Sequence, residues 1–169
     1  LVRGWRRSWR HTNLRAVAYL TVEPAPRSAI QGLIASVPND DWSALDQREH
    51  AYDRVALSPS EVDCAQGAEI SVQLYKTSPK NDAPPSVRHP VLQSYLDTVV
   101  AGYLDVFGAE GASDFFASTT GWDAPILDDR HEPIYPRTTT IDAATRRFID
   151  TKLDALGVER VAKTDDIAI

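Results

Sequence analysis

Methionine is absent from the 169 residues and cysteine occurs once, at Cys64. A lone cysteine excludes an internal disulfide framework and a multi-cysteine zinc site, so nothing calls for an oxidising compartment and a reducing cytoplasm fits best. Long apolar runs are lacking too. No stretch approaches the roughly 20 residues needed to span a bilayer, and Arg3, Arg6, Arg7 and Arg10 have no apolar region behind them, so neither anchor nor signal peptide is read. Positive charge is in deficit: 18 basic against 24 acidic side chains give a formal charge of -6. That balance repels phosphate backbones and anionic lipid heads, so neither nucleic acid nor membrane is an expected partner. Without a methionine, and with Leu1 standing in mid-pattern, the natural start is expected upstream.

What is present is ordinary for a folded protein. Hydrophobic residues make up 43% and charged residues 25%, which argues against disorder and against a fibrous repeat. The length suits one domain, 1–169, with 119–169 a C-terminal loop and helix extension of it. Leu14 to Val22 and Ala29 to Val37 read as strands, joined by a loop whose Pro24 and Pro26 cannot continue a ladder. Asn39-Asp40-Asp41 then offers a cap and two acids for a helix running to about His50. Tyr52 to Leu57 and Glu69 to Tyr75 read as further strands, and Lys76 to Pro90, with four prolines, as a surface loop. Leu92, Tyr95, Leu96, Val99, Tyr103 and Phe107 recur at helical spacing up to Gly108, and a short helix over Ala109 to Ser118 follows. Ile141, Phe148, Ile149, Leu153 and Leu156 define a last helix closed by Gly157. Strands first and helices later imply an α+β fold, a small mixed or antiparallel sheet or barrel with packed helices.

Few residues stand out as chemical. Positions 42, 45 and 49 share one face of the expected helix, which sets Glu49 beside Trp42 and Leu45. A carboxylate there is paired, with Arg48 or Arg54, or simply exposed at a fraying helix end, or sits in a cleft suited to proton transfer. His50 is a neighbour able to tune it. The histidines at 11, 50, 89 and 131 lack the i, i+4 spacing of helical metal ligands. No Gly-X-Ser-X-Gly elbow supports a serine hydrolase, and no Gly-X-Gly-X-X-Gly loop a nucleotide site. The run from Gly121 to Arg137 is dense in charge, aromatics and proline and reads as a charge-paired lid or a C-terminal brace.

Leu45-Asp46-X-X-Glu49 followed by Tyr52-X-Arg54 resembles the gamma-glutamylcyclotransferase-like family, as do Gly4-Trp5-Arg6-Arg7 with Trp9, the strand pair with Gly32, and Ser94-Tyr95 with Gly102. The likeness runs from about Gly4 to Phe116. It implies a bacterial member releasing 5-oxoproline from a γ-glutamyl amine, amino acid or peptide, with no cofactor and no metal. Glu49 matches the family's general acid/base, a role that calls for a carboxyl with raised proton affinity, such as a cleft lined by Trp42 would supply. Tyr52 and Tyr95 match tyrosines of the substrate pocket, and each is equally a plausible core aromatic. Arg54 either meets a substrate carboxylate or holds Glu49. The family's first strand ends in a Tyr-Gly-Ser loop that this sequence lacks. Its expected place is just before Gly4-Trp5, so the chain reads as an N-terminally truncated domain, or else as a non-catalytic relative that binds γ-glutamyl ligands. The sequence leaves oligomeric state open.

Overall fold

The arginine-rich N-terminal segment forms a strand. In a computed structural model, which describes residues 1–12, 14–64 and 70–163, β1 (Val2–His11) buries Trp5, Arg7, Trp9 and His11 and exposes Arg3 and Arg6. Apart from Ser8, which is buried as well, that is period-two alternation carried partly by polar residues. Its outward arginines pair with acids: Arg6 with Glu23 at 2.7 Å and Arg10 with Asp82 at 2.6 Å. The buried Arg7 guanidinium donates to the Gln31 carbonyl, Ser118 Oγ and Thr119 Oγ1. It lies over the rings of Tyr103 and Phe115 at 5.2 and 5.3 Å, and burial pulls its pKa below the ordinary value.

β1 pairs antiparallel with β2 (Ala18–Ile30). The expected loop at Pro24 to Ser28 is therefore part of a strand, and the expected strand over Ala29 to Val37 ends at Ile30. The prolines act on register instead: Arg3 faces Ala29 while Trp5 faces Pro24, so the donor-poor segment bulges out of the ladder. Short strands β3 (Tyr52–Ala56) and β4 (Gln73–Thr77) form a separate antiparallel pair. The start of the expected strand from Glu69 lies outside the described residues. Two-residue strands β5 (Val91–Leu92), β6 (Thr119–Thr120), β7 (Ile126–Leu127) and β8 (Arg160–Val161) complete a six-stranded mixed sheet in the order β6-β1-β2-β5-β7-β8. With its helices this is an α+β fold, a curled mixed sheet and a small antiparallel one packed by three α-helices.

The first helix, α1 (Trp42–Arg48), is shorter than its sequence implies. Asn39 and Asp40 take positive φ values of 55° and 52°, so the cap passes to Asp41, which accepts from the Ala44 amide at 2.9 Å. Helix α2 (Gln93–Ser118) merges the two expected helices and bends at Gly108, whose φ of 67° and ψ of -171° suit only glycine. Helix α3 (Ala143–Leu156) starts on Asp142 and is closed by Gly157, as its pattern implies. The core gathers Trp9 from β1, Leu96, Val100 and Phe115 from α2, Ile126 from β7, and Ile149 and Leu153 from α3. No helix among the described residues is long and apolar enough to cross a membrane.

The proline-rich segment before β5 is tied down rather than free. Its Ala83 exchanges backbone hydrogen bonds with His11, and His89 stacks on the His11 ring at 3.9 Å. Burial, then the neighbouring His11 and Arg88, lowers the His89 pKa. The unfolded chain thus takes up a proton that the folded chain resists, and the stability present above the unfolded value is lost as pH falls through the folded one. Melting temperature should accordingly fall as pH drops below about 6.5, and His89→Gln should flatten that slope. An unchanged slope would assign the titration to another group. In the core, Leu153→Ala should cost about 2–5 kcal/mol in denaturant unfolding, since Leu153 is fully buried.

Candidate functional site

Glu49 stands at the C-cap of α1, with φ -93° and ψ 30°, one residue past the last helical position. Its amide donates to the Leu45 carbonyl at 2.9 Å and its carbonyl accepts from the Tyr52 amide at 2.8 Å, so the turn into β3 is fixed on both sides. The Ala51 carbonyl within that turn takes donors from the Ser78 amide, Ser78 Oγ and Asn81 Nδ2. The chain is thereby clamped where Glu49 leaves the helix.

The exit changes the company Glu49 keeps. Trp42 and Leu45 do not line a cleft with it, contrary to helical spacing. The Trp42 ring instead carries the Arg54 guanidinium at 4.7 Å. Arg54 in turn pairs with Asp46 at 3.1 Å rather than with Glu49, and Asp46 also accepts from the Tyr75 hydroxyl at 2.6 Å. Glu49 pairs with Arg48 at 2.9 Å, but Arg48 is 71% exposed, so the pair is worth only about 0–1 kcal/mol and does not lock the carboxylate.

Glu49, Tyr52 and Tyr95 come together on one open cleft of about 1040 Å³. Arg54 is not part of its lining, whereas His50 is. Tyr19 from β2 and Tyr135 join the two expected tyrosines there. Tyr95 packs edge-on against Trp9 at 5.9 Å and Tyr19 at 6.2 Å, and tilted against Tyr135 at 4.9 Å. Burial raises the pKa of Tyr95. Tyr52 is raised by burial and then by the Glu49 charge, and Tyr19 by burial, partly offset by Arg15. These three phenols keep their protons at neutral pH and line the cleft as neutral hydrogen-bonding groups, with Tyr52 the one that feels the Glu49 charge. The arrangement can pass a proton at Glu49 and offer hydroxyls to a developing negative charge.

Tyr135 reaches the cleft because the segment Gly121 to Arg137 is a charge-paired brace. Asp129, 6% exposed, accepts from the Ser94 amide at 2.7 Å, from Ser94 Oγ, and from the Ile134 amide at 2.8 Å. The Tyr135 amide donates to Ser94 Oγ at 3.3 Å. Next to this, Arg130 bridges Asp97 and Asp150, each at 2.7 Å. Burial alone would lower the Arg130 pKa, yet the two carboxylates raise it above its ordinary value. Sequence reasoning marked this segment as notable but assigned it no residue of the site. Its Ile134-Tyr135 pair, apolar and aromatic after a charged run, was the available signal. Replacing Asp129 with Ala should leave the Ser94 and Ile134 amides unpartnered and cost about 1–3 kcal/mol for each. Hydrogen exchange at the Ile134 and Tyr135 amides should quicken, and unchanged exchange would mean that something else holds the brace.

Comparison with models of known protein families, with curated proteins and with solved structures finds no match to this chain.

Proposed function

We propose that the protein is a gamma-glutamylcyclotransferase-like enzyme that releases 5-oxoproline from γ-glutamyl compounds, in a reducing cytoplasm. The single observation behind this reading is that Glu49, Tyr52 and Tyr95, brought forward by the resemblance, line the same cleft. The first two flank a clamped turn and the third opens α2 more than 40 residues later.

The chemistry is an intramolecular acyl transfer. The free α-amine of the γ-glutamyl group attacks its own γ-carbonyl carbon, and a C–N bond forms while the carbonyl π electrons move onto oxygen. Glu49 takes the proton that the attacking nitrogen sheds. The tetrahedral oxyanion is met by neutral phenol donors, for which Tyr52 and Tyr95 are the candidates. Collapse breaks the old C–N bond, and the proton on Glu49 passes to the departing nitrogen. The products are 5-oxoproline and a free amine or amino acid, with no water consumed. Positioned acid/base groups of this kind contribute roughly 10²- to 10⁴-fold, and the rest falls to orientation and oxyanion stabilisation.

A second reading, a non-catalytic relative that binds or senses γ-glutamyl compounds, draws on one observation, the engagement of the Glu49 carboxylate by Arg48. It expects binding without turnover. The two separate in an assay of 5-oxoproline release from several γ-glutamyl compounds, native against Glu49→Gln. The enzyme reading expects release by the native protein and a loss of about 10²- to 10⁴-fold in the variant. Stability should fall by no more than about 1 kcal/mol, since the ion pair broken is with the exposed Arg48. Equal release from both proteins would sink the role of Glu49.

A further inference from the structure

The segment from Ser78 to Pro90 is short of backbone donors, since Pro79, Pro84, Pro85 and Pro90 carry no amide hydrogen. It is held at separate points instead. The Ala51 carbonyl accepts from the Ser78 amide and hydroxyl, both at 3.1 Å, and from the Asn81 side-chain amide at 3.2 Å. Asp82 accepts twice from the Arg10 guanidinium, at 2.6 and 2.9 Å. Ala83 exchanges two backbone hydrogen bonds with His11, at 2.9 and 3.1 Å, and the His89 ring lies 9° from parallel on the His11 ring. Two of these anchors reach the cleft from outside. Ala51 lines it, as does Thr12, the neighbour of His11, whereas neither histidine is part of its lining.

Among these anchors the ring stack is the one that responds to pH near neutrality. Nδ1 of His11 lies 3.3 Å from the Thr12 carbonyl, which only accepts, so that nitrogen bears a hydrogen and a further proton goes to Nε2. Nδ1 of His89 meets Ser86 Oγ at 3.0 Å. The charges that face His89 are those of His11 and Arg88, and Arg10 precedes His11 on β1. The acids of the neighbourhood, Asp82, Glu23 and Asp123, act on Arg10. One imidazolium can lie against a neutral ring, but two at 3.9 Å repel.

We propose that Ser78 to Pro90 is an acid-released strap: protonation of the stacked His11 and His89 rings frees it from the end of β1 and slackens the turn that presents Glu49. Pro84 and Pro85 stand between the Ala83 bridge and His89, and such a stiff link passes movement at the ring on to Ala83 and Asn81. The direction follows from linkage. The His89 pKa is lowered by burial and by its cationic neighbours, so the strap is closed above the ordinary histidine value and opens as pH falls through the lowered one. The device acts on the shape of the cleft whatever compound enters it, and so stands apart from the cyclotransferase reading.

Amide hydrogen exchange at about pH 7.5 and about pH 5.5, corrected for the intrinsic rate, reads the strap directly. Protection at the Ser78 and Ala83 amides should fall about tenfold or more at the lower pH, and the Tyr52 amide should follow. The Ile149 and Leu153 amides of α3 should not change. His89→Phe keeps a ring to stack on His11 but takes up no proton, so its strap should stay protected at both pH values. His89→Gln, which lacks ring and charge alike, is a second non-titrating variant and should show the same pH independence. His89 is half-buried, so both variants should fold, and unchanged exchange in α3 verifies it. Equal protection of the native strap at the two pH values, the same fall in both variants, or a loss that extends to α3 would overturn the proposal. A strap that opens while the Tyr52 amide stays protected would overturn its link to Glu49.

Discussion

One buried carboxylate, Asp129, holds the candidate site together. Helix α2 has no capping side chain at its own N-cap, Leu92. Asp129 supplies the missing acceptor from 35 residues away, taking both the Ser94 amide and the Ser94 hydroxyl. A negative charge at that end of a 26-residue helix also meets the positive pole of its dipole. Because the same carboxylate accepts from the Ile134 amide, one residue sets the start of α2, hence Tyr95, and the path of the brace, hence Tyr135 and Arg137. Remove it and two walls of the cleft lose their common reference.

Charge is handled in two ways in the interior. Arg130 is neutralised by Asp97 and Asp150, a pairing whose loss on one side leaves a buried charge and costs about 3–5 kcal/mol. Arg7 has no carboxylate within ion-pair distance among the described residues and is held by neutral oxygens and two aromatic faces. Its cost is visible in its lowered pKa, and its return is that β1, the Gln31 backbone and the end of α2 are joined at one point. The cleft differs from both. Its arginines at 15 and 137 are exposed, Arg15 against the Tyr19 hydroxyl and Arg137 over the Tyr135 ring.

The helices were legible because their signals are local. The apolar spacing of α3 and the left-handed Gly157 are written within 20 residues of sequence, and Gly108 marked where α2 bends, although the helix carries on beyond it. β1 was illegible because its buried face includes Arg7 and His11, whose partners lie in distant segments. β5 to β8 are two residues each and exist only through their neighbours in the sheet. At the site, the helical wheel failed for a geometrical reason. Glu49 is the residue at which the helix ends, so 100° per residue no longer predicts where its side chain points. The resemblance brought forward Glu49, Tyr52 and Tyr95, which the cleft unites, but also Arg54, which serves Asp46 and Trp42 instead.

The long reach of these contacts bears on the order in which the protein can form. The bonds that Glu49 itself makes, to the Leu45 carbonyl and from the Tyr52 amide, span few residues of chain and can close early, before Ser78 and Asn81 reach the Ala51 carbonyl. The floor of the cleft cannot. Ser94 must wait for Asp129, and the β7 edge is covered only when Arg160 and Val161 have been made. Closing such long loops delays folding, and during synthesis the half-sheet ending at β5 stands unpaired meanwhile. The part of the molecule best suited to holding a ligand is therefore also the last to assemble, and until it does, the aromatic residues destined for the cleft are open to whatever else is near.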